Sequence, residues 1–387
     1  MKRILSLLVA LAVGLCCCVP ITAAPAEDGG MIAPSVSAES AILVNAEDGS
    51  VYYAKNADTP MGMASTTKLM TALVAIEACD PDQTVTVSPE AVGVEGSSIY
   101  LVAEEELTMR ELLYALLLSS ANDAATAIAM EICGSVEAFA ERMNSRAKSL
   151  GLTQTHFTNP HGLYDENHYT TAAELAVIAA EVLAIPLLRE IVSTYKTTIP
   201  HDGTPDQRLL VNHNKLLRTY EGAIGMKTGF TKKTGRTLVS AAERDGLTLI
   251  AVTLNAPDDW RDHAAMLDYG FASYQVVTFS APGSFLFHLP VTGGTKETVT
   301  LTNLTALTLT LPRGYEAPTY TVTGTSRFWF APVEQEDAFG TVTLSCQGQT
   351  VSSPLIATHA VPAKAPERTG MWERFRNFFK AEDTQSP

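Results

Sequence analysis

Three short motifs constrain this chain more than anything else in it: Ser65-Thr66-Thr67-Lys68, Ser120-Ala121-Asn122 and Lys227-Thr228-Gly229, in that order. Their side chains make chemical sense only together, so the fold has to bring three distant segments to one place. In the first motif an amine follows a hydroxyl by three residues, which on a helix puts both on one face, one turn apart. An SxxK alone arises by chance about once in every few hundred residues. Three motifs in order read as one active site.

The surrounding patterns give the frame. Ala41 to Asn45 and Ser50 to Ala54 read as strands around the hairpin signal Glu47-Asp48-Gly49. The run Ser65 to Ala78 is apolar on nearly every side, which predicts a helix buried in a core with Ser65 near its start. Thr108 to Glu111 and Thr171 to Glu174 are capping boxes ahead of helices, and Val136 to Leu150 is helical up to Gly151. Strands return at Gly222 to Thr231, Arg236 to Ala242 and Leu247 to Leu254, followed by a helix from about Trp260 to Tyr274. Strands from both ends and helices from the middle predict an α/β (α+β) sandwich over residues 39–277, an antiparallel sheet with helices on both faces. Over 280–361, Thr and Val alternate between Gly and Pro, which predicts a small all-β domain acting as spacer or scaffold.

The two ends carry different signals. Residues 1–26 read as a secretory signal peptide: Lys2 and Arg3, the apolar run Ile4 to Val19, then Ala24-Pro25-Ala26 ahead of a cut before Glu27. Pro20 breaks the run, which favours a cleaved signal over a retained anchor. Leu15 before Cys16 argues against lipid attachment. Residues 27–38 read as a flexible N-terminal segment. Residues 363–387 read as a linker and an amphipathic membrane-associated tail: Met371, Trp372, Phe375, Phe378 and Phe379 recur at helical spacing among Arg368, Arg374, Arg376 and Lys380. A helix docking on its own domain is the alternative. The net charge is −15, and −17 once Lys2 and Arg3 leave (−15 minus 2), which argues against nucleic acid. Cys79, Cys133 and Cys346 remain after the signal; Cys79 and Cys133 close apolar helical stretches and read as buried small hydrophobes. The scattered histidines match no zinc spacing, so no metal or cofactor is expected.

The chemistry follows from the motifs. Ser65, at a helix start, is the candidate nucleophile. Lys68 serves as its base only if neutral, and burial beside a second cation, Lys227, lowers a lysine pKa. Ser120 would relay a proton, and Asn122 would hold a substrate carbonyl. Thr228 with Lys227 would hold a free carboxylate at a peptide end, and Gly229 would let backbone and substrate approach closely. Lys233-Thr234-Gly235 repeats the third motif but reads as the turn between two strands.

On these residues the chain resembles the serine D-alanyl-D-alanine carboxypeptidases, the low-molecular-mass penicillin-binding proteins. The likeness extends to Asn45-Ala46-Glu47-Asp48-Gly49, Asn159-Pro160-His161-Gly162-Leu163 with Asn167-His168-Tyr169, and Asn212-His213-Asn214-Lys215-Leu216-Leu217. It implies a β-lactamase/transpeptidase-like fold and removal of the terminal D-alanine from peptidoglycan pentapeptide stems through an acyl-enzyme on Ser65. It implies β-lactam antibiotics as covalent inhibitors and an extracytoplasmic enzyme held at the membrane by its tail. It implies oxyanion donors at the backbone of Ser65 and Phe230, a loop histidine at His161 facing the site, and Arg261 binding the terminal carboxylate. Ala121 stands where Gly is frequent and Phe230 where some members have His, which leaves the reaction class intact but not substrate preference. A class A β-lactamase would carry Glu-x-x-Leu-Asn between Asn122 and Lys227, and none is there. A D,D-endopeptidase or transpeptidase of the same fold differs in pocket shape, which sequence does not show. An inactive wall-peptide-binding protein would be expected to have lost at least one of these groups.

Overall fold

The computed structural model describes residues 32–201, 204–324 and 326–365. The expected signal peptide lies outside the described residues, as does the expected tail from residue 366. The chain opens with the hairpin β1 (Ser40–Asn45) and β2 (Val51–Lys55), then enters helix α1 (Lys68–Ala78). A short pair, β3 (Thr84–Thr86) and β4 (Glu106–Thr108), precedes five helices: α2 (Met109–Leu118), α3 (Asn122–Cys133), α4 (Val136–Ser149), α5 (Ala172–Ala184) and α6 (Pro186–Ser193). A second hairpin, β5 (Lys196–His201) and β6 (Thr204–Val211), and the turn of helix α7 (Leu216–Thr219) lead to β7 (Ala223–Thr231), β8 (Gly235–Arg244), β9 (Leu247–Leu254) and helix α8 (Asp259–Ser273). The main sheet runs β2-β1-β9-β8-β7 with every pairing antiparallel, so both ends of the segment meet where β1 pairs with β9.

Strand periodicity explains why this sheet carries helices on both faces. Successive side chains point to opposite sides. Ala41, Leu43, Leu249 and Ala251 pack with Met266 and Leu267 of α8, while Ile42, Val44, Ile250 and Val252 join the core built by α1 to α6. Helix α1 is the centre of that core, with every residue from Lys68 to Ala75 buried. Such enclosure explains its all-round apolar sequence and makes its single lysine unusual. Ser37 and Ala38, at the end of the expected loose segment, are tied to the Asp262 carboxylate of α8.

Two local expectations need correction. Thr108 and Glu111 form a complete reciprocal box at the start of α2. Thr171 caps α5 by accepting from Glu174 N, but the Glu174 carboxylate accepts instead from Thr153 N and Gln154 N, at 2.7 and 2.9 Å, so the second box is half made. Cys346 is buried, but Cys79 and Cys133 are only half-buried, at helix ends, and all three are unbridged.

After α8 come β10 (Tyr274–Ser280), β11 (Leu286–Thr292), β12 (Thr298–Asn303), β13 (Leu307–Pro312), β14 (Thr319–Gly324), β15 (Trp329–Phe330), β16 (Ala338–Cys346) and β17 (Gln349–Ala357). They make a sheet of order β14-β16-β17-β12-β11-β15 and the pair β10-β13. Val299, Leu301, Leu309, Val342, Leu344 and Leu355 form a separate apolar core.

Candidate active site

The nucleophile candidate sits one turn earlier than a regular helix start. Ser65 lies in a 3-10 turn, Ala64–Thr67, which runs into α1 at Lys68. Ala64 takes the left-handed conformation, with φ of +46°. A side chain rarely adopts it without support, and the support comes from the 156–170 loop. His168 Nδ1 accepts from Thr158 N at 3.0 Å, so its Nε2 carries the proton and donates to Thr67 Oγ1 at 2.7 Å; that hydroxyl donates to Ala64 O at 2.7 Å. Gly162, at φ +85°, packs so closely that a Cβ there would lie 2.0 Å from Ala64 O.

Lys68 is fully buried and its Nζ donates three times: to Ser65 Oγ at 3.1 Å, to Asn122 Oδ1 at 2.7 Å and to His161 O at 2.5 Å. Three acceptors saturate an ammonium and hold the amine against the serine. Burial lowers its pKa well below the usual lysine range, Lys227 lowers it further, and Asp123 opposes both. Burial brings Lys227 to about 7, and its Nζ donates to Thr228 O at 2.8 Å. The site therefore holds two lysines whose environment disfavours their charged forms.

Asn122 opens α3 and uses both ends of its amide inside the protein, accepting from Lys68 and donating to Glu95 O at 2.6 Å. Sequence alone suggests a substrate carbonyl as its partner; in the structure its amide is hydrogen-bonded to Lys68 and to the 95–97 loop. Ser120 precedes it at φ +59°, buried against the cleft. Lys227, Thr228, Gly229 and Phe230 lie in β7, at the sheet edge beside the nucleophile turn. Gly229 makes that approach possible: a Cβ there would lie 3.0 Å from Ser65 N and 2.3 Å from Thr237 Oγ1. Lys233 falls in the β7–β8 turn with its Nζ over the Tyr164 ring, away from the cleft.

An open cleft of about 440 Å³ is lined by Ser65, Ser97, Ser120, Thr228, Gly229 and Phe230, together with His213, Lys215, Arg236, Asp259 and Trp260. Five expected residues are not among these: Lys68, Asn122 and Lys227, which are buried, and His161 and Arg261. His161 contributes its backbone carbonyl to Lys68, and its ring, lowered to about 3 by burial and by Lys68, stays neutral behind the cleft. Arg261 is 85% exposed and pairs only loosely with Asp258, at 3.9 Å. Its position early in α8 aims it at solvent. Arg236, across the hairpin from Phe230 in the β7–β8 register, is the arginine in the cleft, 3.0 Å from Asp259. That register was the available signal, since the residue opposite a motif strand shares its neighbourhood.

Asp123 was also missed. It is buried, and its carboxylate accepts from Ser98 Oγ at 2.6 Å and from Ile99 N and Leu101 N at 3.1 Å, fixing the loop that carries Ser97. On its other side that loop is held by Arg208 of β6, which donates to Tyr100 O at 3.2 Å and forms a buried ion pair with Glu105. Among the described residues no group of acidic, histidine or cysteine side chains has the arrangement of a metal site.

The family model for peptidase S11, D-alanyl-D-alanine carboxypeptidase, matches residues 28–258. The D-alanyl-D-alanine carboxypeptidase DacF of Bacillus subtilis is 31% identical over 354 residues, covering 88% of this chain and 91% of that protein. Among solved structures, penicillin binding protein 5 from Haemophilus influenzae is 27% identical with a TM-score of 0.66, covering 86% of this chain and 100% of that one. The Streptomyces K15 D,D-transpeptidase is 33% identical with a TM-score of 0.60, covering 62% of this chain and all of that one. The mixed α/β fold with antiparallel sheets and a β-rich C-terminal part is that of these neighbours.

Proposed function

Because this chain belongs to the peptidase S11 family of D-alanyl-D-alanine carboxypeptidases, we propose that it removes the terminal D-alanine from peptidoglycan pentapeptide stems through an acyl-enzyme on Ser65. The observation that carries the reading is the Lys68 amine, held 3.1 Å from Ser65 Oγ at a site where burial and the Lys227 charge favour its neutral form. Neutral Lys68 takes the Ser65 proton as Oγ attacks the carbonyl between the two D-alanines. The oxyanion faces the backbone N–H groups of Ser65 and Phe230, which the close approach at Gly229 brings together. The C–N bond breaks and the departing amine takes a proton relayed from Lys68 by Ser120. Water then cleaves the Ser65 ester by the same route in reverse, returning the serine.

The substrate's terminal carboxylate needs cations at the strand end of the cleft. Thr228 and Arg236 supply a hydroxyl donor and a guanidinium there, with Lys227 behind them. A β-lactam, whose strained amide and carboxylate present the same pattern, would acylate Ser65. The reading places residues 39–277 as the peptidase domain and 280–361 as a β domain. It places the enzyme outside the cytoplasmic membrane, after loss of residues 1–26, with the tail from residue 366 on the membrane surface. No helix among the described residues is long and apolar enough to cross a membrane. A second reading, transfer of the acyl group to an amine instead of water, is favoured by the resemblance to the Streptomyces transpeptidase. An added amino-acid acceptor would then appear in the product.

The test is D-alanine release from a diacyl-lysyl-D-Ala-D-Ala peptide by wild type and by Ser65→Ala. Release by wild type that vanishes in the variant is expected. No release from folded wild type sinks the carboxypeptidase reading.

A further inference from the structure

We propose that the tip of the β domain, Arg327 to Phe330, is a second membrane contact that seats in the headgroup region of an anionic bilayer beside the tail. The proposal rests on the membrane-surface reading of the tail. Strand periodicity splits this tip: Trp329 turns inward against Phe339, with ring centroids 5.3 Å apart, while Phe328 and Phe330 turn outward. The two phenylalanines are 40% and 66% exposed and meet edge to face, at 5.1 Å. Neither serves the β-domain core, which closes without them.

Their place in the fold supplies the partner. Phe330 pairs in parallel with Thr292, and Ala331 N donates to Thr292 O at 3.0 Å. The next residues of the same segment hold the end of the described chain: Lys364 N donates to Gly293 O at 2.8 Å, and Thr295 N to Pro362 O at 2.8 Å. The exposed ring pair and the exit of the tail are thus neighbours across one short segment. The remaining 22 residues (387 minus 365) begin there and carry the aromatic and basic pattern of an interfacial helix. Arg327, Lys296 and Lys364 are exposed around the tip, with Glu297, Glu334, Glu336 and Asp337 the acidic residues near these segments in sequence. Three cations against four carboxylates leave no cationic excess, so the rings carry the attraction at the tip and the preference for anionic lipid comes from the basic residues of the tail.

The full mature chain, tail included, is mixed with phosphatidylglycerol–phosphatidylcholine vesicles, and the bound fraction is read by co-sedimentation. Four forms are compared: wild type, Phe328→Ser with Phe330→Ser, Phe328→Leu with Phe330→Leu, and Trp372→Ser with Phe375→Ser and Phe379→Ser. Unchanged D-alanine release and thermal midpoint verify that the tip variant folds. A partition constant at least tenfold below wild type for the tip variant, largely restored by Phe328→Leu with Phe330→Leu, is the expected result. A tip variant that binds like wild type, while the tail variant does not, overturns the proposal and leaves the tail reading standing. Wild type that fails to bind overturns both. A tip variant that binds vesicles normally but loses self-association would assign the rings to a second copy and also overturn the proposal.

Discussion

At the scale of single residues, the account turns on which cation does what. Arg236, not Arg261, faces the cleft, so Arg236→Ala should raise KM about ten- to hundredfold for a D-Ala-D-Ala peptide, the worth of a charge-assisted contact. Arg261→Ala should leave KM within about twofold. A C-terminally amidated peptide should be indifferent to the Arg236 change, which separates loss of carboxylate binding from general damage. The two lysines predict a pH profile. Lys68 must lose its proton to act, and its lowered pKa sets the rising limb of kcat/KM; Lys227, lowered to about 7, loses its charge above that and sets the fall. Because Lys227 is one cause of the Lys68 shift, Lys227→Gln should move the rising limb to higher pH, in rates measured across a pH series. A limb that stays put would show that burial alone tunes Lys68.

At the scale of elements, the capping interactions separate what local sequence determines from what the fold decides. Thr108→Ala removes a complete box and should cost about 1 kcal/mol of stability, read from the denaturant midpoint. The same spacing at Thr171 gave only half a box, because the 153–155 loop offers the Glu174 carboxylate better-placed N–H groups. Legibility follows this pattern. The buried character of α1, the strand around Lys227 and the turn around Lys233 were readable, because composition and period act within a few residues. The left-handed Ala64, the Arg208–Glu105 pair and the inward role of Asn122 were not, because each is settled by a partner distant in sequence. Arg261 and Arg236 differ in the same way: Arg261, at the start of α8, is exposed beside Asp258, while the β7–β8 register, which the sequence does not display, carries Arg236 to the cleft.

At the scale of the whole molecule, two buried neutral histidines and a third, half-buried one tie folding to pH. Burial lowers His263, which sits between Ser240 and Thr253, to about 3, His161 to about 3 and His168 to about 4. Each has an unfolded pKa near 6.5, so between that value and the folded one the unfolded chain binds more protons and stability falls as pH falls. Their contribution is fully present above pH ~6.5 and is lost at up to about 1.4 kcal/mol per pH unit for each histidine. Denaturation midpoints at pH 7, 6 and 5 should show this decline, with a shallower slope in His263→Gln.

The claim that joins these scales is that Ser65 is the nucleophile and neutral Lys68 its base. Mass mapping of the protein after brief exposure to a penicillin and an acid quench tests it most directly. One adduct on the Ser65 peptide is predicted, absent in Ser65→Ala and formed about a thousandfold more slowly in Lys68→Ala. An adduct on another residue, or Lys68→Ala acylated as fast as wild type, would contradict it.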